Sequence, residues 1–458
     1  MSSSVAKTTV KNARRQPPGL DGWQFLRFVP EMRRDPLRAF VELPQRFGDI
    51  VRMKGLWTSF QLNHPADIEH VLQTNSANYR KGRNYREMRW SIGNGLLASE
   101  GDFWRRQRRL AQPAFHRQRL AAFARVMTDA TCQMLDAWQA RAAGGQPFDV
   151  VPEMMRLSLR IAGLTLFSTD LTGETEQIAR ALDLARAHTI RRMWQVVRLP
   201  ITFPTPANRR VLRALGESEK FIYEMIRARR RGEIETDDLL SLLMRARDEE
   251  TGETMSDKQL RDEAATILMA GHETTAIALS WTWYLLARHP HVEQKLHAEL
   301  ANVLDGRAPV FDDLPRLNYT RMIIEEAMRL YPPAWAVSRT AISDDEIGSY
   351  HIPANSEILL LPYVTHRHPQ FWEEPEQFDP ERFTPERATQ RPKFTYFPFG
   401  GGPRQCVGNN FALTEAQLVL AVVAQQYRLT LVSGHPIEPE PSITLRPRYG
   451  IMMTLKQR

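Results

Sequence analysis

The apolar run over residues 256–286 most restricts what this chain can fold into, because a helix so long and so apolar must cross the middle of a large domain. It is not a membrane span. Its most apolar part, residues 276–286, contains polar residues and falls short of the roughly 18 uncharged apolar residues that a bilayer demands. Around it, apolar positions recur at three and four residues over 103–138, 154–166 and 218–226. The same period predicts helices over 291–304 and 319–330, the second ended by Pro332 and Pro333. Short β-like runs stand at 50–53, 59–62, 358–361, 427–432 and 451–455. No repeat or linker divides the chain. The prediction is a mainly α fold with a minor β portion: a flexible tail over 1–20 and a single domain over 21–458.

The first twenty residues are basic but lead into no apolar core, so they fail as a secretory signal. With two cysteines, Cys132 and Cys406, a disulfide framework is excluded, and a reducing, cytoplasmic setting fits. Cys132 sits in an amphipathic stretch as a small hydrophobe and is given no role. The net charge of +8 suits an anionic partner. No zinc-finger spacing or aromatic-basic RNA motif is present, so nucleic acid is not expected.

Residues 365–405 are rich in Pro, Gly and aromatics and have little period, and so long an irregular segment in one domain is usually functional. It leads into Phe399, Gly402, Arg404, Cys406 and Gly408, which together read F-x-x-G-x-R-x-C-x-G. The glycines permit close backbone approach and positive φ. A thiolate just before a helix is stabilised by the free N–H groups there. A glycine-rich turn holding an incidental cysteine is the plain alternative, and the full pattern is far more restrictive than that.

This pattern resembles the haem-binding signature of the cytochrome P-450 family. The resemblance implies that Cys406 is the proximal ligand to the iron of haem b. Phe399 would pack near the sulfur, Arg404 would pair with a propionate, and Gly402 and Gly408 would let backbone approach porphyrin and cysteine. Trp104 and Arg108, four apart on a helix, match a W-x-x-x-R pair that meets the propionates, and Arg339 matches a further propionate position. Glu326 and Arg329, three apart on one helical face, would pair with Arg382 as a structural triad holding the irregular segment.

Within the long helix stands Ala270-Gly271-His272-Glu273-Thr274-Thr275. An interior glycine costs about 1 kcal/mol relative to Ala, and threonines can bond back to carbonyls, so a bent or locally opened helix is expected. By resemblance this is the dioxygen site, with Thr274 and Glu273 as the catalytic pair handling protons and His272 a bystander. That pair favours an oxygen-activating monooxygenase over a peroxide-driven peroxygenase or an isomerase; the rival from another class, a non-enzymatic haem-thiolate sensor or carrier, would show no partner-driven substrate oxidation. Electrons would come from a separate ferredoxin or flavodoxin with its reductase, docking at Arg105, Arg106 and Arg109. A lipophilic substrate (fatty acid, terpenoid or polyketide-like) would meet Trp90, Met193, Trp194, Ile267, Ala270, Trp335, Val337 and Ile451, though each could equally be core.

Overall fold

The computed structural model describes residues 15–55, 57–170, 175–193, 195 and 199–458; the side chains of 175–180, 182 and 193 lie outside the description. The helix Asp257–Arg288 begins at a reciprocal cap, in which the Ser256 hydroxyl accepts from the Gln259 N–H and the Gln259 amide accepts from the Ser256 N–H. Every residue from Thr275 to Leu286 is buried. A helix apolar on all sides needs neighbours on all sides. Here they are Val150–Phe167, Pro206–Arg230, Asn318–Leu330 and Asn409–Gln426. Together with Arg117–Gly144 they enclose the largest apolar core.

The β portion lies beside this helical body. A six-stranded sheet runs Gly19–Asp21, Ile50–Lys54, Thr58–Leu62, Glu357–Leu360, Val337–Ala341, Tyr79–Lys81. Its register sets Arg339 opposite Lys81 on one side and Ile358 on the other. Tyr427–Leu431, Met452–Gln457 and Phe148–Asp149 form a second sheet, and Pro439–Pro441 pairs with Leu445–Pro447 in a hairpin. The expected tail boundary shifts. Residues 15–20 belong to the fold: the Arg15 carbonyl accepts from the His351 N–H at 3.0 Å, and Gly19 and Leu20 pair in parallel with Arg52 and Met53. Leu20 is buried there, which supplies the apolar anchor a short edge strand needs.

The irregular segment is fastened to the helix Asn318–Leu330. Arg329 and Glu326 are fully buried and bonded at 2.7 and 2.8 Å. Arg329 also donates to the carbonyls of His366, Pro375 and Gln377 at 2.7–2.9 Å. Arg382 lies 3.4 Å from Glu326 and donates to the Glu374 carbonyl. Burial raises the Glu326 carboxyl, opposed by Arg329, the Asp379 N–H and Arg382. One buried arginine therefore satisfies three carbonyls of a chain that lacks its own ladder.

Candidate active site

Between the long helix and the cysteine loop lies a cavity of 1350 Å³. Phe399, Cys406 and Gly408 line one wall, and Ile267, Ala270, Glu273 and Thr274 line the wall facing it. The loop is shaped by left-handed glycines at 400 and 402 (φ 67° and 65°). The Cys406 N–H donates to the Phe399 carbonyl at 3.0 Å, closing the turn. Gly402 differs from expectation. Its close approach is to the chain at Leu72, where a Cβ would collide with the carbonyl oxygen, so its constraint comes from the fold's own backbone. Gly408 has φ −94°, and a Cβ there would make only an ordinary contact with Phe115 at 3.8 Å. Nothing in the protein excludes a side chain at 408. The Cys406 sulfur opens into the cavity; burial raises its pKa, opposed by the Gly408 N–H and by the charge of Arg108.

Four cations, Lys81, Arg108, Arg339 and Arg404, face the cavity beside the indole of Trp104. Arg108 donates to the Gln405 carbonyl at 2.8 Å, bracing the residue before the cysteine. Arg404 lies over the Trp104 ring at 4.1 Å and is ion-paired with Glu100. Among the described residues, Glu100 is the one carboxylate in a salt bridge with any of the four. Lys81 donates to the Leu96 carbonyl at 2.6 Å and is pushed down to about 7 by burial and then by Arg404. A soft thiol on the wall and unbalanced cations at the side fit a flat metal-bearing group with acidic arms. Haem is such a group. Lys81 and Glu100 were missed because nothing in their local sequence marks them; strand pairing brings Lys81 to Arg339 across more than 250 residues.

The long helix is not opened at the glycine. It runs unbroken from Asp257 to Arg288, with the Thr274 hydroxyl donating to the Ala270 carbonyl at 2.7 Å and Thr275 to Gly271 at 3.1 Å. These back-bonds take up the hydroxyls without breaking the ladder. Glu273 turns toward the C-terminal hairpin, where its Oε1 accepts from the Thr444 hydroxyl at 2.7 Å and lies 3.8 Å from Arg446. His272 is buried, with Nδ1 2.9 Å from the Leu268 carbonyl, and burial lowers its pKa.

The substrate candidates divide. Ile267, Ala270, Trp335 and Val337 line the cavity. Trp90 does not line it: it packs edge-on against His188 at 5.2 Å in a satellite cluster between two helices. Ile451 is fully buried in the main core, its N–H held by Asp149, and also does not line it. Trp194 and the Met193 side chain lie outside the described residues. The expected basic docking patch is ion-paired. Arg105 pairs with Asp102, Arg106 with Glu253, and Arg109 with Asp248 and Glu250, so much of its positive field is neutralised locally. No described helix is long and apolar enough to cross a membrane.

The cytochrome P-450 family model matches residues 17–455. Cyclooctatin synthase of Streptomyces melanosporofaciens is 41% identical over 90% of each chain. Cyclooctat-9-en-7-ol 5-monooxygenase of the same organism is 38% identical over 88% of this chain and 86% of that one. Pentalenene oxygenase of Streptomyces avermitilis is 35% identical over 93% and 94%. Among solved structures, a cytochrome P-450 heme domain superposes with a TM-score of 0.88 at 29% identity, covering 97% of this chain and 98% of that one.

Proposed function

The chain belongs to the cytochrome P-450 family and is a haem-dependent monooxygenase, and from that premise we propose that it hydroxylates or epoxidises a terpenoid, with haem b as the cofactor. The cavity carries this reading, because it sets Cys406 on one wall against Thr274 and Glu273 on the other. Bound haem supplies dioxygen activation and insertion of one oxygen atom into a C–H or C=C bond, the other atom leaving as water.

The remaining work falls to this chain. Cys406 provides the thiolate ligand, and Phe399 packs the loop that carries it. Lys81, Arg108, Arg339, Arg404 and the Trp104 indole would hold the acidic arms. Thr274, whose hydroxyl donates to the Ala270 carbonyl, offers its oxygen as an acceptor at the wall facing the cysteine, and Glu273, bridged to Thr444, moves protons inward from the hairpin side. Ile267, Ala270, Trp335 and Val337 exclude water and shape the space for a lipophilic molecule. The relatives' printed names, which describe terpenoid oxygenation, support the substrate class. Electrons come from a separate redox protein; a ferredoxin or flavodoxin with its reductase is the proposed source, in a reducing cytoplasm suited to an unpaired cysteine ligand.

The test is the absorption spectrum of reduced, carbon monoxide-bound protein beside Cys406→Ser. A red-shifted Soret band of thiolate type, lost in the variant, is expected. An imidazole-type band in the wild type would refute the assignment.

A further inference from the structure

The cavity is apolar over most of its wall, and a mixed-charge corner lies beside Glu273. Asp183 and Arg186, one turn apart on the helix Thr175–Met193, meet Ser442 and Arg446 of the hairpin segment there, and all four line the cavity. Their mutual contacts are long. Arg186 reaches the Ser442 hydroxyl at 3.5 Å and Asp183 at 3.4 Å, while Arg446 lies 3.8 Å from both Asp183 and Glu273. The buried Arg186 Nε has no hydrogen-bond partner among the described residues. Contacts this long leave donor and acceptor capacity unused, with 61% of the Asp183 side chain exposed.

Charge decides what would use that capacity. Among the described residues, the two guanidiniums of Arg186 and Arg446 are balanced by the carboxylates of Asp183 and Glu273, so these four groups carry no net charge to attract an anion. The corner offers N–H donors next to a carboxylate acceptor, and a neutral hydroxyl can satisfy both at once. We propose that Arg186, Asp183 and Ser442 form a subsite for a hydroxyl group that the lipophilic substrate already carries. This rests on the monooxygenase reading and narrows it to an oxygenated terpenoid. The substrate must then be supplied by an earlier oxygen-introducing reaction: a prior hydroxylation, or a cyclisation ended by water. The product carries at least one oxygen function more than a hydrocarbon oxidised once.

Equilibrium binding tests this without turnover. Holoprotein is titrated with abietadiene, abietadienol and abietic acid, and with cedrene and cedrol, following the shift of the Soret band. The alcohols are expected to bind about tenfold or more tightly than their parent hydrocarbons, and the acid no better than the alcohol. In Arg186→Met and in Ser442→Ala the alcohol's advantage should shrink to about threefold or less, with hydrocarbon affinity unchanged. Unchanged hydrocarbon affinity shows that each variant keeps its fold. Equal affinities within each series, a preference for hydrocarbon or acid, or no shift with either alcohol overturns the subsite. A preparation lacking the thiolate-type carbon monoxide band instead marks failure of the haem-thiolate reading.

Discussion

Glu415 is fully enclosed on the helix that follows the cysteine loop, and its Oε1 accepts from the Ser158 hydroxyl at 2.7 Å. Burial pushes its carboxyl up to about 8, offset in part by Ser158. A folded-state pKa above the ordinary carboxylate range means the neutral acid contributes stability below about 4.5, and this contribution is lost as pH rises through about 8. Ionisation should therefore cost the wild type up to about 1.4 kcal/mol per pH unit across that window. Glu415→Gln should match wild type near pH 5 and melt higher than it at pH 9. Parallel melting curves for the two proteins from pH 5 to 9 would contradict this. At the oxygen wall the expectation is kinetic. Thr274→Ala and Glu273→Gln should each release more peroxide per electron pair consumed, and unchanged coupling in both would remove the proton-handling role. Here the sequence was legible for Thr274 and Glu273, which are adjacent in the chain. Thr444 and Arg446 were not, because only the folded hairpin carries them to Glu273, Thr444 from 171 residues away.

Among the elements, the irregular segment depends most on a single fastening. Removing one partner of the buried Glu326–Arg329 pair strands the other charge in a region without water, a loss of about 3–5 kcal/mol. Glu326→Ala should unfold at lower denaturant and retain less haem than wild type, measured by the haem-to-protein absorbance ratio. Gly402→Ala should act on the same ratio by another route, since a Cβ there meets the Leu72 carbonyl and the residue holds φ at 65°. Full haem retention in Gly402→Ala would show that the loop has slack the structure does not display. The helices and strands were legible from apolar period alone, since each buries one face or all faces in a regular way. What period could not say is which wall a neighbouring residue joins. Ile451 lies one residue before a strand and faces the core, and Trp90 faces a satellite cluster, although both flank segments that reach the cavity.

Across the whole molecule, a cavity of 1350 Å³ beside the central helix leaves a large apolar interior without packing partners unless a ligand fills it. Haem-free protein should melt well below the holoprotein and recover on adding haem, because a ligand bound only by the native state stabilises it by mass action. Equal melting temperatures would mean the fold closes without the cofactor. The charge distribution has its own expectation. Because Arg105, Arg106 and Arg109 are already paired with carboxylates, reversing one of them should slow partner association by less than about tenfold at physiological salt. A loss of several hundredfold would place the main docking charge there after all.

The hairpin of Pro439–Pro441 and Leu445–Pro447 gathers more duties than its length suggests. Its Thr444 hydroxyl bonds to Glu273, the Leu445 carbonyl accepts from Trp281, and Ser442 meets both Trp335 and Arg186. On the proposed readings, proton supply and substrate placement share one short piece of chain. Laboratory evolution toward a new substrate through this hairpin will alter the yield of product per electron as well as the position oxidised. Recombining it between enzymes should transfer the two traits as a block.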